Sequence, residues 1–321
     1  MTPPAPRILP FADAALAEAA LAEAAALIRA GGLVGVPTET VYGLAADATN
    51  GEAVAAIYAA KGRPAFNPLI VHVCDVEQAR SLVALSAPAE RLAAAFWPGP
   101  LTMVLPRRPD APVAGLVAAG LPTLAIRVPA HPAMRALIAA AGRPLAAPSA
   151  NLSGGISPTR AGHVARSLGA RVPLVLDGGA TGHGLESTIV AVDGAALRLL
   201  RPGPVAAEAL AEVAGLPVAV PAAGRIEAPG QLESHYAPAK PLRLHATERA
   251  PGEWLIGFGA VAGDDTLSAR GDPVEAAARL FDALHRADAT AARAIAVAPV
   301  PAAGIGIAIN DRLRRAAAPR P

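Results

Sequence analysis

The fold is decided around the stretch Gly31-Gly32-Leu33-Val34-Gly35-Val36-Pro37-Thr38-Glu39-Thr40, where a helix, a strand and a polar loop follow one another. Residues 14–30 place Ala, Leu and Glu at helical spacing, and the two glycines end this helix. The apolar residues 33–36 are typical of a short buried strand, which Pro37 ends. The hydroxyl and carboxyl groups that follow can therefore reach a cleft at the carboxyl edge of a sheet.

The alternation of strands and helices continues to residue 214. Residues 38–44 are expected to form a loop and turn. Strands are predicted at residues 69–73, 101–105, 124–128, 174–176, 187–192 and 197–200, and helices at 53–60, 87–96, 132–141, 159–168 and 206–214. This mixture predicts an α/β fold with one large twisted mixed sheet and flanking helices in residues 1–215.

A linker and a second domain follow. Proline and glycine recur from Leu216 to Pro241, so residues 216–241 are predicted to contain no continuous element. Order returns with strands at 253–259 and 294–300 and helices at 273–286 and 304–317. These elements predict a small Rossmann-like α/β domain in residues 242–321.

The linker contains a polar and aromatic island, Ser234-His235-Tyr236-Ala237-Pro238. We expect this island to fold over an occupied cleft as an active-site lid that shields reactive intermediates from water. The alternative interpretation is a passive tether between the two domains.

Composition restricts the class of protein. The 321 residues are 53% hydrophobic, but the longest uncharged stretches, residues 111–126 and 294–309, are interrupted by Pro and Gly and are shorter than the roughly 18 apolar residues of a membrane span. The opening Met1-Thr2-Pro3-Pro4 lacks the basic and apolar regions of a secretory signal, and the single cysteine, Cys74, fits a reducing compartment. We therefore expect a cytoplasmic protein without a membrane segment. A net charge of only +2 disfavours a dedicated nucleic-acid binder.

Several common catalytic motifs are absent from the sequence. It contains no Walker A motif, no complete dinucleotide fingerprint, no cysteine and histidine spacing typical of zinc, and no G-x-S-x-G elbow. What remains are two polar loops among Gly and Pro, at residues 61–69 and 148–154. The first contains Lys61, one of only two lysines in the chain, which makes it a candidate anion-binding loop.

Two polar side chains interrupt apolar strands. His72 lies inside a predicted strand, where a core histidine is the alternative to a functional one. Arg127 ends another strand, and a buried guanidinium must either be paired or bind an anion. Its alternative role is a salt bridge to Glu39 or Glu186.

Six motifs occur in a fixed order along the first domain. They are Pro37-Thr38-Glu39-Thr40-Val41-Tyr42-Gly43-Leu44, Lys61-Gly62-Arg63-Pro64, Phe96-Trp97-Pro98-Gly99-Pro100-Leu101-Thr102, Ala147-Pro148-Ser149-Ala150-Asn151-Leu152-Ser153-Gly154, Glu186-Ser187-Thr188 and Leu200-Arg201-Pro202-Gly203. As an ordered set they closely resemble the YrdC-like domain of the L-threonylcarbamoyladenylate synthase family. His235-Tyr236-Ala237-Pro238 and the module after it resemble the long, two-domain form of that family, so the resemblance covers nearly the whole chain.

The resemblance implies an ATP-dependent nucleotidyltransferase. In that family L-threonine, bicarbonate or CO2, and ATP give L-threonylcarbamoyladenylate and pyrophosphate, the first step toward N6-threonylcarbamoyladenosine at position 37 of tRNA. Mg²⁺ is the metal expected with ATP, and its ligands are left unassigned. The implied partners are the downstream tRNA threonylcarbamoyl-transfer machinery and, through weak binding, tRNA itself.

The resemblance also implies site residues, carried over by position. The catalytic tetrad would be Lys61, Arg63, Ser149 and Asn151. ATP would bind Arg63, Asn67, Thr123, Ser149, Ser157 and Arg201, with Tyr236 reaching back from the linker. Threonine would bind Thr40, His72, Arg127, the backbone of Ala147, and Ser187. Ser234 stands where the family commonly has a basic residue.

Two other functions stay open at this stage. A module of the same fold could present a basic concave surface to double-stranded RNA or tRNA, with Lys61, Arg63, Arg107, Arg108 and Arg127 carrying that surface. The related domain of hydrogenase maturation proteins transfers carbamoyl groups, but no zinc-finger or acylphosphatase-like segment accompanies it here. Threonine-dependent release of pyrophosphate separates these possibilities.

Overall fold

Two sheets organise this protein, whose computed structural model describes residues 5–11, 14–219 and 226–319. Met1-Thr2-Pro3-Pro4, and residues 220–225 of the predicted linker, lie outside the described residues. Within the described ranges, no helix combines the length and the apolarity that a bilayer crossing requires.

The larger sheet has 11 strands. They are β1 (Arg7–Pro10), β2 (Val34–Val36), β3 (Gly43–Asp47), β4 (Ile70–His72), β5 (Leu101–Pro106), β6 (Thr123–Arg127), β7 (Leu145–Ala146), β8 (Leu174–Asp177), β9 (Thr188–Asp193), β10 (Ala196–Arg201) and β11 (Val218–Ala219). Their order across the sheet is β1-β8-β2-β3-β7-β4-β6-β5-β9-β10-β11. Parallel pairs such as β4 with β6 alternate with antiparallel pairs such as β9 with β10, so the sheet is mixed as predicted.

Helices accompany this sheet. They are α1 (Ala14–Arg29), α2 (Gly51–Lys61), α3 (Val76–Leu82), α4 (Ala87–Phe96), α5 (Pro132–Ala141), α6 (Ala161–Leu168) and α7 (Ala207–Ala214), with short 3-10 helices at Gly115–Ala118 and Gly169–Arg171. Helix α2 begins at Asn50, whose side chain accepts hydrogen bonds from the backbone N–H groups of Glu52 and Ala53. It ends at Gly62, whose φ of 60° is a left-handed conformation that glycine adopts without strain. This defined end fixes the backbone positions of Lys61, the last residue of α2, and Arg63, which follows the cap.

The second domain is built on a small sheet of four strands. These are β12 (Leu242–Arg243), β13 (Glu253–Gly257), β14 (Asp265–Thr266) and β15 (Ala294–Val297), in the order β12-β15-β13-β14, with the helices α8 (Pro273–Asp288) and α9 (Gly306–Ala317). All three strand pairings are parallel, which confirms the predicted small α/β domain.

The core of the second domain continues into the first. The apolar cluster of α8, α9 and their sheet also contains Val41, Ile156 and Leu185 from the first domain, and Tyr236 from the linker. Because these side chains share one buried cluster, the linker is packed against both domains at Tyr236.

Several elements were not predicted. No pattern in the sequence predicted β1, α3 or β7, and Gly43 and Leu44, which were expected in a loop, begin β3. All five residues of β3 are buried, so the strand lacks the alternation of polar and apolar residues that marks a half-buried strand. The predicted linker also contains the two-residue strand β11, which pairs with β10.

The cap of α2 makes a direct test of this local structure. Replacing Asn50 by Ala removes an acceptor 2.9 Å from the N–H of Glu52 and 3.2 Å from that of Ala53. We expect the free energy of unfolding, measured by urea titration, to fall by about 1 kcal/mol. The matched control is Ser86→Ala at the start of α4, where the side chain makes no capping hydrogen bond, and the loss should be smaller. Equal losses would contradict the capping role of Asn50.

Candidate active site

The site begins where β4 and β6 run side by side. The two strands are parallel, and their register places His72 opposite Arg127. The Arg127 guanidinium is buried and donates hydrogen bonds to the Gly99 carbonyl at 3.1 Å, to Thr40 Oγ1 at 3.0 Å and to Glu39 Oε1 at 2.6 Å. Its planar fork is therefore held in one orientation.

Glu39 is the salt-bridge partner of Arg127, one of the two that the sequence left open. Its second oxygen accepts hydrogen bonds from the backbone N–H groups of Ala130, at 3.0 Å, and His131, at 3.3 Å. Burial by itself would raise the pKa of Glu39, but the charge and hydrogen bonds of Arg127 outweigh it and leave the pKa below its usual value. The carboxylate thus stays ionised beside the guanidinium.

His72 is neutral at physiological pH. Burial, with a further contribution from the charge of Arg127, lowers the pKa of His72 to about 3. Its Nδ1 is buried and has no hydrogen-bond partner among the described residues. A buried polar atom of this kind, facing a cavity, is suited to bind a ligand group.

The loop after α2 forms another wall. Arg63 donates from Nε to the Asn67 carbonyl at 3.1 Å, and from one terminal nitrogen to Asn67 Oδ1 at 2.6 Å and to the Pro68 carbonyl at 2.8 Å. Burial, together with the charge of Arg201, lowers the pKa of Arg63 to about 10. Neither Arg63 nor Arg201 has a carboxylate within 4.0 Å in the described ranges, so both are suited to an anionic ligand.

Lys61 lies behind the second polar loop. Its Nζ donates to the backbone carbonyl of Ser149 at 2.6 Å and to that of Asn151. Burial and the charge of Arg63 together lower the pKa of Lys61 well below its usual value. The four residues of the predicted tetrad are therefore brought together, with Lys61 fastening the backbone that carries Ser149 and Asn151.

A third wall comes from the strands β9 and β10. Arg201 ends β10 and donates to the Ser187 carbonyl at 3.0 Å and to Ser187 Oγ at 3.1 Å. Ser187 directly precedes β9, and the two strands are antiparallel, so both residues reach the same end of the sheet. Ser157 donates its hydroxyl to Glu186, which also faces the cavity.

Four residues of the predicted linker, Pro229, Gly230, His235 and Tyr236, form the remaining wall of the site. Tyr236 is buried, and its hydroxyl has no hydrogen-bond partner among the residues described. Gly230 lies against it at a φ of 88°, and a Cβ at that position would stand 2.7 Å from the Tyr236 hydroxyl and 2.8 Å from Arg201 Cδ. Only glycine permits this close approach of the linker backbone.

These walls enclose one cavity. It has room for the centres of a few water molecules, about 40 Å³, far below the roughly 300–1,000 Å³ of typical ligand pockets. The residues that line it are Thr38, Thr40, Val41, Gly43, Arg63, Ile70, His72, Arg127, Ala147, Pro148, Ser149, Glu186, Ser187, Arg201, Pro229, Gly230, His235 and Tyr236. This cavity is too small to hold a nucleotide.

Most of the predicted site residues converge on this cavity. Those in its lining are Thr40, Arg63, His72, Arg127, Ala147, Ser149, Ser187, Arg201 and Tyr236. Those outside the lining are Lys61, Asn67, Thr123, Asn151 and Ser157. Asn67 and Ser157 contact the lining residues Arg63 and Glu186 through hydrogen bonds, whereas Thr123 begins β6, half-buried, outside the lining.

The cavity extends over one face of the sheet. Ile70 and His72, two positions apart in β4, both line it, and alternate residues of a strand point to the same face. The sequence predicted a cleft at the carboxyl edge only. In a mixed sheet the antiparallel neighbour β7 brings Ala147 alongside Ile70, so the site continues inward from that edge.

A wider groove of about 750 Å³ lies on the other side of the site loops. Both domains line it, with Gly62, Leu152, Arg166 and His285 among the residues. The smaller cavity is the stronger candidate site because three buried arginines and two buried histidines converge there.

The cations of the site are not on an open surface. Lys61, Arg63 and Arg127 are 2%, 8% and 3% exposed, so three of the five residues that an RNA-binding surface required are buried. Nor do the described residues contain a group of three or more His, Cys, Asp or Glu side chains placed to hold a metal ion. Both carboxylates near the cavity, Glu39 and Glu186, are already paired with arginines.

The chain matches known families along most of its length. Residues 26–203 match the Sua5, YciO and YrdC family model, described as telomere recombination, and residues 205–318 match the threonylcarbamoyl-AMP synthase C-terminal domain. The threonylcarbamoyl-AMP synthase of Bacillus subtilis strain 168 is 42% identical over 92% of each chain. The chain belongs to the Sua5/YrdC family of threonylcarbamoyl-AMP synthases.

Two further comparisons agree. The threonylcarbamoyl-AMP synthase of Pyrococcus abyssi is 40% identical over 92% of this chain and 93% of its own. The crystal structure of P. abyssi Sua5 complexed with L-threonine superposes with a TM-score of 0.85 at 38% identity, covering 92% of this chain and 94% of the other. The family predicted from the ordered motifs is thus confirmed.

Sequence reasoning missed some residues that form this family member's site. Glu186 appeared only within the motif Glu186-Ser187-Thr188 and as a possible partner of Arg127, and Pro229 and Gly230 appeared only as linker residues. Arg312, which holds Glu186, carried a signal that could have been found. It lies at helical spacing with Ile305, Ile309 and Ala316 of the last helix, so a charged residue occupies the apolar face of that helix.

The low pKa of His72 predicts an acid-sensitive fold. The pKa of His72 is about 3 in the folded protein and about 6.5 in an unfolded chain, so the unfolded state binds more protons between these pH values. The free energy of unfolding should therefore fall as the pH is lowered from 6.5, and His72 should contribute up to about 1.4 kcal/mol per pH unit. Urea unfolding at several pH values should show a shallower dependence in His72→Gln. An unchanged slope would contradict this assignment.

Proposed function

We propose that this protein makes L-threonylcarbamoyladenylate from L-threonine, CO2 or bicarbonate, and ATP, releasing pyrophosphate. The proposal rests on one closed cavity that has buried arginines on two of its sides, and these arginines differ in their partners. On one side Arg127 is held as a fixed fork beside Thr40 and His72. On the other, Arg63 and Arg201 are buried with backbone and amide oxygens as partners in place of carboxylates.

The first wall suits an amino acid. A planar guanidinium binds a carboxylate through two parallel hydrogen bonds, and Glu39 on the far side keeps Arg127 in place. The unpaired Nδ1 of His72 and the hydroxyls of Thr40 and Ser187 are suited to the amine and hydroxyl of threonine. We assign threonine to Thr40, His72, Arg127, the Ala147 backbone and Ser187.

The second wall suits a triphosphate. In the reaction, the threonine amine and CO2 give a carbamate, whose oxygen forms a bond to the α-phosphorus while the bond to pyrophosphate breaks. Negative charge grows on the phosphate oxygens, and the buried Arg63 and Arg201 can stabilise it in a site that excludes water. We assign ATP to Arg63, Asn67, Thr123, Ser149, Ser157, Arg201 and Tyr236.

Lys61 and Asn151 lie outside the lining of the cavity and support this wall through hydrogen bonds to the backbone of its loop. Because Lys61 Nζ binds the carbonyls of Ser149 and Asn151, it keeps the Ser149 hydroxyl directed at the phosphates. The side-chain amide of Asn151 donates to the carbonyls of Leu152 and Gly155, at 2.8 and 2.9 Å, and fixes the rest of the loop. In this proposal Arg63 supplies positive charge to the phosphates, and Lys61 and Asn151 hold the loop that carries Ser149.

Magnesium would arrive with the nucleotide. Because Glu39 and Glu186 are paired with arginines, the described residues around the cavity offer hydroxyl oxygens and no unpaired carboxylate for a resident ion. Mg²⁺ commonly keeps several waters and binds through substrate phosphates, which fits MgATP as the substrate. The product would pass to the tRNA threonylcarbamoyl-transfer machinery, with weak binding to tRNA itself, and the single cysteine fits work in the reducing cytoplasm.

The linker would act as the lid of the site. Residues 216–241 join the synthase domain, 1–215, to the small domain, 242–321, and Tyr236 covers the cavity. A short-lived carbamate and a reactive adenylate both need protection from water, which a closed lid supplies. Since the closed cavity is too small for ATP, the lid must open once in each cycle.

The activity has a direct test. Purified protein with MgATP and bicarbonate should release pyrophosphate only when L-threonine is present, because the carbamate is the nucleophile. L-Serine, which lacks the methyl group, should support release less well. Release that does not depend on threonine would contradict the proposal, and the control without bicarbonate should show a reduced rate.

Arg127 should set the affinity for threonine. We expect Arg127→Ala to raise the KM for threonine by about tenfold to a hundredfold, and Arg127→Lys by less, because an ammonium cannot reproduce the planar fork. The KM for ATP should change little. Arg135→Ala on α5, an exposed residue outside the lining, is the control. Isothermal titration with threonine checks the affinity directly, and equal affinities for parent and Arg127→Ala would contradict the assignment.

A further inference from the structure

Arg312, in helix α9 of the second domain, is a buried charge that the proposed reaction does not use. It is 1% exposed and is among the largest fully buried side chains. Its guanidinium donates from Nε to Glu186 Oε2 at 2.8 Å, and from its terminal nitrogens to Asp311 Oδ2 at 2.8 Å and to the Pro202 carbonyl at 2.9 Å. The same group lies 5.2 Å from the ring centroid of Tyr236. Arg312 therefore contacts the synthase domain and the lid together.

Glu186 needs this partner. Its carboxylate lines the cavity and accepts the Ser157 hydroxyl through its other oxygen. Burial would raise the pKa of Glu186, but the charges of Arg312 and Arg201 outweigh it, so the pKa lies below its usual value. An ionised carboxylate facing a triphosphate would repel it. The ion pair with Arg312 neutralises that charge and turns Glu186 into an acceptor that orients Ser157.

Helix α9 also holds the lid by its backbone. Arg315 donates to the carbonyl of Leu232, and the carbonyl of Arg315 accepts the N–H of His235 at 3.1 Å. Asp311 accepts hydrogen bonds from both Arg312 and Arg315, at 2.8 and 3.1 Å, and so fixes the two arginines relative to each other. One face of α9 therefore holds the lid both at its backbone and at the ring of Tyr236.

We propose that Arg312 is a positioning residue for ATP, through which the second domain sets the nucleotide end of the site. It acts through Glu186, which it neutralises, and through Tyr236, whose ring it holds over the cavity. Its hydrogen bonds and its ring contact are with Glu186, Asp311, Pro202 and Tyr236, and none of the proposed threonine residues is among these partners. This inference rests on the proposed function only for the identity of the nucleotide.

The test compares Arg312→Met with the parent protein and with Arg314→Met. Arg314 lies two residues further along α9, is 70% exposed in its side chain and approaches Asp311 only at 3.8 Å, which makes it a matched control. We expect Arg312→Met to raise the KM for ATP by about tenfold or more while leaving the threonine affinity within about twofold. Arg314→Met should behave as the parent does.

A second experiment distinguishes a positioning role of Arg312 from a general effect on folding. Adding Glu186→Gln to Arg312→Met removes the unpaired carboxylate, so the KM for ATP should fall back toward the parent value. Hydrogen exchange of residues 231–240 should show protection by a non-hydrolysable ATP analogue plus threonine in the parent, and weaker protection in Arg312→Met. Should Arg312→Met fail to fold, Arg312→Lys keeps the charge but not the planar fork and takes its place, with a smaller rise in KM.

The outcomes are distinct. An ATP KM within about twofold of the parent and unchanged lid protection, in a folded variant, would overturn the role of Arg312. Failure of threonine-dependent pyrophosphate release in the parent would overturn the proposed function instead. In that case, the role of Arg312 would still be tested by comparing the protection that the ATP analogue gives to residues 231–240 in the parent and in Arg312→Met.

Discussion

The constraint on which this structure depends is the burial of arginine. Four guanidinium groups lie at or beside one small cavity, with relative exposures of 1% to 8%: Arg63, Arg127, Arg201 and Arg312. Removing a charge from water costs several kcal/mol unless hydrogen bonds and opposite charge replace the lost hydration. Glu39 pairs with Arg127, and Glu186 and Asp311 pair with Arg312, whereas Arg63 and Arg201 depend on backbone carbonyls and on uncharged side-chain oxygens. Loops, strand ends and the second domain must all be in place before these donors are satisfied.

Both kinds of strand pairing in the mixed sheet contribute to this arrangement. Parallel pairing puts His72 beside Arg127, and antiparallel pairing brings the start of β9 to the end of β10, where Ser187 meets Arg201. The second domain completes the set, because Arg312 neutralises Glu186. Two domains with separate sheets thus form a single polar site, and the shared apolar cluster around Tyr236 joins their cores. A change at the interface between the domains therefore acts on the cavity through the ion pair of Arg312 with Glu186.

Much of this could be predicted from the sequence, and the reasons for the failures are physical. Helices such as residues 14–30 and 132–141 show a clear apolar period, and they were predicted nearly to the residue. Strand β3 was missed because it is buried on both faces and so has no alternation to detect. The site residues came from ordered motifs, whereas the pairing of Arg127 with Glu39 in preference to Glu186 depends on the order of strands in the sheet and on the path of the loop after β2, which no local pattern determines.

The position of Tyr236 in the lining of the cavity has an energetic cost. Its φ of 63° is left-handed, which for a bulky residue costs of order 1–3 kcal/mol, and its buried hydroxyl, unpaired within the described ranges, costs about as much again. Against this stand the packing of its ring on Phe281 and the guanidinium of Arg312, worth about 0.5–2 kcal/mol. The two costs together exceed this gain, so the position of Tyr236 also depends on the apolar cluster that it shares with both domains. In the proposed reaction, a ligand group that accepts a hydrogen bond from the Tyr236 hydroxyl would remove the second cost and so favour this position when the site is occupied.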